Sequence, residues 1–447
     1  MLLTALLKLF NLSFLSHLPN FIVRFECDNL RKDLGVISKT VAQKMKESKG
    51  QDKCEEEKAQ ANAVKERIEE TENMLKEVET ERNKKLNSIG NIVFSDVPIS
   101  KDEANNAVVS TYGTIPELKV DGKTPGHLHH HEIMQILDMV EFERGQKIAG
   151  HRGYFLKGVG VLLNQALINY GLSFLCPRKY TPLQPPFFMK QSIMSETCQL
   201  SDFEENLYQV TASSGDEPCF LVATSEQPIS ALYRNEWLDP TDLPIRYAGV
   251  SSCFRKEAGA HGKDVWGIFR VHQFEKVEQF CITTPEKSWE MHEEMIKIAE
   301  DFYKSLELPY KVINIVSGEL NDAAAKKYDL EAWFPGYENY RELVSCSNCT
   351  DYQSRGLDVR LQLGKEKTGK DKVYVHMLNA TLCATERTMC CILENYQTET
   401  GLRIPTVLQP FMGGMDFVPY NDKALAEFQQ KKAKEEVKKG GQPKGGK

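Results

Sequence analysis

The sequence predicts an α+β protein, in which an N-terminal antiparallel helical hairpin precedes a domain built on an antiparallel sheet flanked by helices. The hairpin is indicated by residues 24–90, where apolar residues recur at intervals of three and four in a charged background, as in helices that pair with each other. The sheet is indicated beyond about residue 142, where short β-branched and aromatic runs mostly succeed one another without an intervening helix. That order favours an antiparallel sheet over a doubly wound parallel one.

The chain has 447 residues, of which 41% are hydrophobic, and this is enough for two or three domains with at least one large core. Its formal charge of -7 gives no global positive field, so charge neither supports nor excludes a nucleic-acid partner. The twelve cysteines include one CxxC, Cys346 to Cys349, without the second pair or nearby histidines that complete a zinc site. We therefore expect reduced, mostly buried thiols in a cytosolic protein.

Residues 1–23 form an atypical apolar segment that is almost free of charge, and a cleaved signal peptide is one interpretation of it. The charged start of a signal is missing, Lys8 interrupts the apolar run and Pro19 closes it, so neither a signal nor a membrane span is predicted. No other segment is expected to reach membrane-spanning length. We therefore expect no membrane association.

The predicted hairpin, residues 24–90, pairs a short first helix with a longer second one. The first helix, Arg24 to Met45, has an apolar stripe formed by Leu30, Leu34, Ile37, Val41 and Met45. The second, from about Glu55 to Ile89, has a heptad stripe formed by Ala61, Val64, Ile68, Thr71, Leu75 and Val78. Because the second helix is predicted to be about 50 Å long at 1.5 Å per residue, we expect the base of the hairpin to be poorly paired. An interaction helix with an unidentified partner is equally consistent with this pattern.

Three further segments complete the predicted organisation: a connector at 91–141, a core domain at 142–420 and a lysine-rich tail at 421–447 that we expect to be disordered. His127 and His129 to His131 are interpreted as the polar start of a helix, since no carboxylate or cysteine stands in ligand register with them. The sequence contains no glycine-rich phosphate loop of either common type, which excludes the usual nucleotide-binding folds.

The most informative stretch is residues 251–280, in which two strand-like runs flank a glycine-containing loop. The first strand can present Arg255 and Glu257 on one face, because they are two residues apart. The return strand can present His272, Phe274, Lys276 and Glu278 on one face, or the residues of opposite parity. Arginine suits a phosphate group, but spacing alone favours an ordinary salt bridge for any one of these charges.

Five sequence blocks, in order, resemble a known family. The sequences FRKEAG and FRVHQFEKVE resemble motif 2 of class II aminoacyl-tRNA synthetases, in the form found in seryl-tRNA synthetases. The block LINYGLSFLCPRKYTPLQPPFF resembles motif 1 with its proline at Pro186, and LVATSEQPI resembles the serine-binding loop. The blocks RELVSCSNCTDYQ and NATLCATERTMCCILENYQ resemble the metal and ATP strand and motif 3, with Arg387 as the motif arginine.

The resemblance implies a role for each matching position. Serine would be bound by Thr224, Ser225, Glu226, Arg255, Glu278, Asn379 and Thr381, with Asn379 and Thr381 around its hydroxyl and Glu278 at its ammonium. ATP would be bound by Arg255, Lys256, Glu257, Val271, His272, Gln273, Phe274, Glu342, Leu343, Val344, Ser345 and Arg387, with Phe274 stacked on the adenine. Mg²⁺ would be bound by Glu342 and Ser345. Catalysis would depend on Arg255, Glu278 and Arg387.

The resemblance also implies partners: L-serine, ATP, tRNA-Ser and tRNA-Sec, with the helical hairpin binding tRNA in a cytoplasmic homodimer. Two alternatives stay open from the sequence. A catalytically inactive RNA-binding module would share the fold. An organellar form is suggested by the apolar start, although residues 1–23 contain no arginine, which mitochondrial presequences are rich in.

Overall fold

A computed structural model describes residues 2–49, 51–86, 89–115, 127–197, 206–211, 217–257, 262–362 and 372–440, without the side chains of 2–18, 83, 84, 86, 263, 264 and 435–440. The chain divides into two compact units, residues 1–90 and 91–447. In unit 1 the helices are α1 (Leu2–Glu47) and α2 (Glu55–Leu86). In unit 2 they are α3 (His130–Ile136), α4 (Phe142–Ala149), α5 (Val159–Leu175), α6 (Gln191–Met194), α7 (Glu226–Ser230), α8 (Ser288–Ser305), α9 (Tyr352–Leu357), α10 (Thr385–Tyr396) and α11 (Asp422–Gly440).

Unit 1 is an antiparallel pair of helices, as the ion pairs between them show. Arg24 of α1 reaches Glu79 of α2 at 2.8 Å and Arg31 reaches Glu72 at 2.8 Å, so the two helices run in opposite directions. Cys27, Leu30 and Thr71 are buried between them. Exposed pairs of this kind contribute only about 0.2–1 kcal/mol each, so the buried stripe is the main source of pairing energy.

The first helix is longer than the segment that predicts it. It begins at Leu2 and contains Pro19, where the sequence predicts an interruption. A proline inside a helix removes one backbone hydrogen bond, and here helical backbone continues on both sides of it. Phe21, Ile22 and Phe25 are exposed. Poor pairing at the base of the hairpin stays a prediction.

Unit 2 is built on one eight-stranded sheet. Its strands are β1 (Ala107–Tyr112), β2 (Thr181–Leu183), β3 (Ile245–Phe254), β4 (Gln273–Thr283), β5 (Tyr310–Asn314), β6 (Lys326–Phe334), β7 (Asn339–Asn348) and β8 (His376–Ala384). Their order is β1-β5-β6-β7-β8-β4-β3-β2, and every neighbouring pair is antiparallel except β3 with β2. The predicted antiparallel sheet is therefore confirmed.

Short strands surround the main sheet. They form a three-stranded sheet of Phe188–Lys190, Gln209–Val210 and Cys219–Leu221, and three pairs: Val140–Glu141 with Phe155–Leu156, Trp237–Leu238 with Arg360–Leu361, and Gly401–Arg403 with Phe417–Pro419. The three-stranded sheet leads into α7, so it helps to position the loop 224–226.

Helices α5, α8 and α10 pack on the main sheet and contribute many of its core side chains, such as Leu163, Met295 and Ile392. One apolar stretch contradicts the expectation that nothing beyond residue 23 reaches membrane-spanning length. Within the described residues, Val159–Arg178 is long and apolar enough to span a membrane, and a third of it is buried. The core helix of a soluble domain meets the same criteria, because the face that packs into the core consists of apolar side chains.

Two predicted segments differ from the structure. Residues 91–141 contain strand β1 at the sheet edge and helix α3, whose Ile133 and Met134 are fully buried, so this stretch supplies part of the sheet and core of unit 2. The tail is not disordered over Asp422–Gly440, which form α11. Lysine, glutamate, glutamine and alanine are good helix formers, and the Asn421 side chain accepts from the Ala424 backbone N–H at 3.0 Å at the helix start. Residues 441–447 lie outside the described residues.

Candidate active site

The motif 2-like stretch forms the hairpin β3–β4, and the pairing decides the parity that the sequence left open. Gln273 lies opposite Phe254, and Glu278 lies opposite Gly249. Phe274, Lys276 and Glu278 share one face, on which Arg255 lies over the Phe274 ring at 5.3 Å. Glu275 faces the other way and accepts from the Asn164 amide at 3.1 Å. Residues 258–261 of the connecting loop lie outside the described residues.

Glu278, 1% exposed, is the centre of a dense hydrogen-bond cluster. One carboxylate oxygen accepts from the Thr224 and Ser225 hydroxyls at 2.6 Å each and from the Glu226 backbone N–H at 3.0 Å. The other accepts from the Lys276 ammonium at 2.7 Å, and that ammonium also donates to the Thr224 hydroxyl at 2.7 Å. The carboxylate therefore holds the loop 224–226 in place.

The charges of this cluster shift the pKa values of Glu278 and Glu226 in opposite directions. Burial opposes ionisation of Glu278, but the Lys276 charge and the hydrogen bonds from Ser225 and Thr224 hold its pKa below the ordinary value. Burial, followed by repulsion from Glu278, raises the pKa of Glu226 to about 7. The Glu226 carboxyl accepts from the Gln353 amide at 2.7 Å, and the residue as a whole is half-buried, so it can contact a cationic ligand.

Two residues of this cluster, Lys276 and Gly249, are given no role in the site by the sequence-based prediction. Lys276 is 6% exposed, and its ammonium neutralises the charge of the Glu278 carboxylate. The two-residue spacing between Lys276 and Glu278 is the sequence feature that could have indicated this contact. Gly249 lies beneath the loop 224–226, where an added Cβ would be 2.6 Å from the Ser225 hydroxyl and 2.6 Å from an Ile229 methyl. No pattern around Gly249 in the sequence reveals this contact, because Ser225 lies 24 positions away.

The predicted adenine-binding residues lie at the open end of the same hairpin. The Arg255 side chain donates to the Ala223 carbonyl at 3.4 Å, and the His272 ring lies 3.0 Å from the Arg255 carbonyl. Glu257 has φ +50°, and its carboxylate pairs with Arg270 at 3.3 Å. This left-handed conformation turns the chain into the loop that follows.

The predicted ATP residues do not all direct side chains to one place. Val271, Leu343 and Val344 are buried, so they can contact a ligand chiefly through their backbone. Gln273 and His272 border a cavity of about 460 Å³ that Tyr154, Tyr208 and Glu275 also line. Gln273 and Glu275 alternate with Phe274 along β4, so this cavity lies on the side of the hairpin away from Phe274. Lys256 is half-buried beside the described end of the loop.

The predicted phosphate and metal residues meet where β7 and α10 lie side by side. The Arg387 guanidinium donates to the Glu342 carboxylate at 3.4 Å and the Glu342 carbonyl at 3.2 Å, and it lies over the Phe269 ring at 4.9 Å. Partial desolvation opposes ionisation of Glu342, whose side chain is 46% exposed, but the charges of Arg387, Lys327 and Arg255 lower its pKa. Several cations therefore surround this carboxylate, as a polyphosphate site requires.

The donor set fits Mg²⁺, which accepts one or two protein carboxylates and completes its shell with water and substrate phosphates. Ser345 lies directly opposite Asp329 in the sheet, and burial, followed by repulsion from Glu342, raises the pKa of the Asp329 carboxyl to about 7. Asp329 was not predicted; it is 8% exposed, and among the residues that the structure describes its Oδ1 has no hydrogen-bond partner. Across the same range of residues, no group of three or more histidine, cysteine, aspartate or glutamate side chains could hold a metal by itself.

Strand β8 brings Asn379 and Thr381 beside the Glu278 cluster. Thr381 lies opposite Glu278 and Asn379 opposite Phe280, and both are largely buried. A register shift between Val277 and Glu278 places one extra residue, Leu382, in β8. Because of this bulge, Thr381 pairs with Glu278 while Cys383, two positions on, pairs with the core residue Val277.

The histidine cluster starts helix α3, as predicted. His130 is fully buried and its ring lies 3.0 Å from the Glu394 carboxylate, while the His129 backbone N–H donates to Glu132 at 2.9 Å in a capping box. The cysteines mostly lie in the core: of those that the structure describes, Cys176 is exposed and Cys219 half-buried, and all are free. Burial raises the pKa of Cys346, Cys349, Cys390 and Cys391 well above that of a free thiol.

The family comparisons match both units. Residues 22–93 match the family described as "Seryl-tRNA synthetase N-terminal domain", and residues 208–396 match "tRNA synthetase class II core domain (G, H, P, S and T)". The cytoplasmic serine–tRNA ligase of Dictyostelium discoideum is 53% identical over 398 residues, covering 89% of this chain and 85% of that protein. The Arabidopsis thaliana protein of the same name is 52% identical over 423 residues, covering 92% and 90%.

Two solved structures resemble most of the chain. The cytoplasmic serine–tRNA ligase of Naegleria fowleri in complex with AMP has a TM-score of 0.77 and 46% identity, covering 92% of each chain. The seryl-tRNA synthetase of Pyrococcus horikoshii complexed with ATP has a TM-score of 0.79 and 36% identity, covering 93% of this chain and 94% of that one. Both relatives carry an adenine nucleotide.

Proposed function

This chain belongs to the seryl-tRNA synthetases, and from that premise we propose how its residues perform the two steps of the reaction. It activates L-serine with ATP to seryl-adenylate and PPi, and transfers the seryl group to tRNA-Ser, as a serine–tRNA ligase of the cytoplasm. The observation that carries the proposal is the Glu278 cluster, which holds Thr224, Ser225 and Glu226 beside Arg255. Among the described residues nothing favours the catalytically inactive module.

A serine-dependent ATP–PPi exchange assay tests the proposal directly. We expect exchange with serine and far weaker exchange with alanine or threonine. A folded chain that gives no exchange with serine, or equal exchange with all three amino acids, would refute the assignment of the site. The comparison with alanine matters because a site that hydrogen-bonds a hydroxyl rejects the analogue lacking it by about 10⁴–10⁵-fold.

In the first step the serine carboxylate attacks the α-phosphorus of ATP and PPi leaves. The carboxylate is already an anion at neutral pH, so the step needs alignment and charge stabilisation and no general base. We assign Arg255 to the serine carboxylate and α-phosphate, and Arg387 to the γ-phosphate. Glu342 and Ser345 would hold Mg²⁺, which neutralises charge on the phosphates when bound. Phe274 would stack on the adenine.

For serine itself we assign the ammonium chiefly to Glu226. The Glu278 carboxylate already accepts from four donors, namely Thr224, Ser225, Lys276 and the Glu226 N–H, so its part is to orient the loop and supply charge behind it. Asn379 and Thr381 would line the pocket around the serine hydroxyl. A tight pocket there would also exclude the extra methyl of threonine.

In the second step the hydroxyl of the terminal ribose of tRNA attacks the seryl carbonyl, and AMP leaves. We propose the 3′-hydroxyl, by analogy with class II enzymes, and we assign tRNA recognition to the helical hairpin of residues 24–90. The same hairpin would admit tRNA-Sec. Of the domains proposed from the sequence, the connector at 91–141 and the core at 142–420 would together form the catalytic unit, since β1 and α3 belong to unit 2.

Serine use should depend on pH through Glu226. Its pKa is raised to about 7, so the carboxyl is mostly neutral at pH 6 and mostly ionised at pH 8. If the carboxylate binds the serine ammonium, kcat/KM for serine should rise by about tenfold per pH unit below 7 and level off above it. The Glu226→Gln variant should have a low kcat/KM for serine at every pH, with no dependence on pH between 6 and 8. If kcat/KM in that variant still rose with pH as in the unaltered chain, Glu226 would not be the titrating group.

We also propose a homodimer, in which the motif 1-like segment 167–188 takes part. Apolar side chains that precede it along the chain are exposed in the single chain: Ile148 (75%), Phe155 (46%), Val161 (48%) and Leu162 (47%). Sedimentation should give twice 50.8 kDa. The double variant Val161→Asp/Leu162→Asp should sediment as a monomer, whereas Ile99→Asp, at another exposed position, should stay dimeric. A stable, active monomer of the unaltered chain would contradict the proposal.

A further inference from the structure

The segment that follows the helical unit is anchored to unit 2 by its first residue, Asn91. The Asn91 amide nitrogen lies within hydrogen-bond distance of the Ala323 carbonyl at 2.8 Å, the Cys349 carbonyl at 2.8 Å and the Thr350 hydroxyl at 2.9 Å. Its backbone N–H donates to the Asp322 carbonyl at 2.6 Å. Its amide oxygen accepts from its neighbour Ile92 at 2.8 Å, so all polar atoms of this side chain are used.

The turn that Asn91 holds is strained. Thr350 has φ +46°, a left-handed conformation that β-branched residues rarely adopt. The Asn348 side chain accepts from the Thr350 N–H at 2.9 Å, and the Thr350 carbonyl accepts from the Met377 N–H at 2.9 Å. Asn91 adds the hydrogen bonds to the hydroxyl of Thr350 and to the preceding carbonyl. Strain of this kind persists only where the surroundings over-determine the backbone.

The same turn carries two contacts to the proposed serine pocket. The Cys349 sulfur lies 3.6 Å from the amide nitrogen of Asn379, on β8. Three residues after Thr350, the Gln353 amide donates to the Glu226 carboxylate at 2.7 Å. A displacement of the turn would therefore move the partners of both Asn379 and Glu226.

We propose that Asn91 is a positioning residue for serine recognition, which fixes the turn Cys349–Thr350 and through it the side chains of Asn379 and Glu226. The proposal rests on the proposed function, because it assumes that those two residues contact serine. Asn91 itself touches no substrate. It ties the start of the catalytic unit to the amino-acid side of the site, whereas Arg387, assigned to the γ-phosphate, donates to the Phe269 carbonyl on another element.

The test compares two Michaelis constants in ATP–PPi exchange. Asn91→Ala should raise the KM for serine about tenfold and leave the KM for ATP within about twofold, because only the serine pocket loses its support. Thr350→Val, which removes the hydroxyl and keeps the shape, should give the same split. Thr350→Ser, which keeps the hydroxyl, should resemble the unaltered chain.

Asn106→Ala is the matched control. Asn106 belongs to the same segment and its side chain accepts from the Val316 N–H at 2.9 Å, but it has no contact with the turn. It should lower the melting temperature without changing the KM for serine. An unchanged KM for serine in a folded Asn91→Ala or Thr350→Val, parallel rises in both constants, or the same split in Asn106→Ala would overturn the proposal. Lack of serine-dependent exchange in the unaltered chain would instead overturn the proposed function.

Discussion

Replacing Arg255 by alanine is expected to abolish adenylate formation and leave the chain folded. The side chain is half-buried and makes weak contacts, a 3.4 Å hydrogen bond to the Ala223 carbonyl and a stacking contact with the Phe274 ring at 5.3 Å. Its loss should therefore cost little stability. An arginine aimed at charge that develops on the α-phosphate is worth on the order of 10³-fold in rate. The measurement is single-turnover adenylate formation, with thermal unfolding followed on the same sample.

Arg360 provides the control for this variant. It also lies over aromatic rings, Trp237 at 5.7 Å and Tyr374 at 5.9 Å, and it pairs with Asp358. Arg360→Ala should lose some stability and keep its activity. Near-normal adenylate formation in Arg255→Ala, or an equal loss in both variants, would show that Arg255 has no special part in the reaction.

Glu278→Ala is expected to destabilise the catalytic unit as well as inactivate it. The change leaves the Lys276 ammonium, 6% exposed, without its carboxylate partner. Removing one member of a buried ion pair typically costs about 3–5 kcal/mol, because the other charge stays buried. Urea unfolding followed by tryptophan fluorescence measures this free energy, and PPi exchange measures the activity.

The double variant Lys276→Met/Glu278→Met separates charge from function. It removes both charges and should recover part of the stability while remaining inactive. The pKa of Glu278 lies below its ordinary value in the folded chain. The Glu278 carboxylate therefore contributes fully to the free energy of unfolding above its ordinary pKa, and this contribution is lost as the pH falls through the lowered pKa of the folded chain. The stability difference between the native chain and Glu278→Ala should shrink at acidic pH. A single variant as stable as the native chain would contradict this account of the cluster.

Much of the fold could be predicted from the sequence, because strand and helix periods are local. The antiparallel order and the heptads of α2 needed no tertiary information. Composition misled at the tail, where lysines suggested disorder although their helix propensity is high. Strand β1 was not predicted either, because residues 107–112 have only one neighbouring strand and are largely exposed.

The site was predicted in part, for a similar reason. Motif positions such as Arg255 and Arg387 were found from their resemblance to a family, whereas Lys276 depended on a parity that only strand pairing could decide. Gly249 and Asp329 act across strands, on Ser225 and Ser345, and no spacing along the chain reveals such contacts. The bulge at Leu382 is another such case. Simple alternation would place Thr381 and Cys383 on the same face of the sheet, but Thr381 pairs with Glu278 and Cys383 pairs with Val277.

The distribution of thiols also has a consequence for the chain in an oxidising cell. Oxidants react with thiolates that solvent can reach, and the sulfurs of Cys346, Cys349, Cys390 and Cys391 are both enclosed and difficult to ionise. Of the cysteines that the structure describes, the one most open to attack is Cys176, which follows α5 and has no contact with the Glu278 cluster. Among the described thiols, peroxide or a glutathione disulfide would therefore react first with Cys176 of the single chain, and amino-acid activation would outlast that modification.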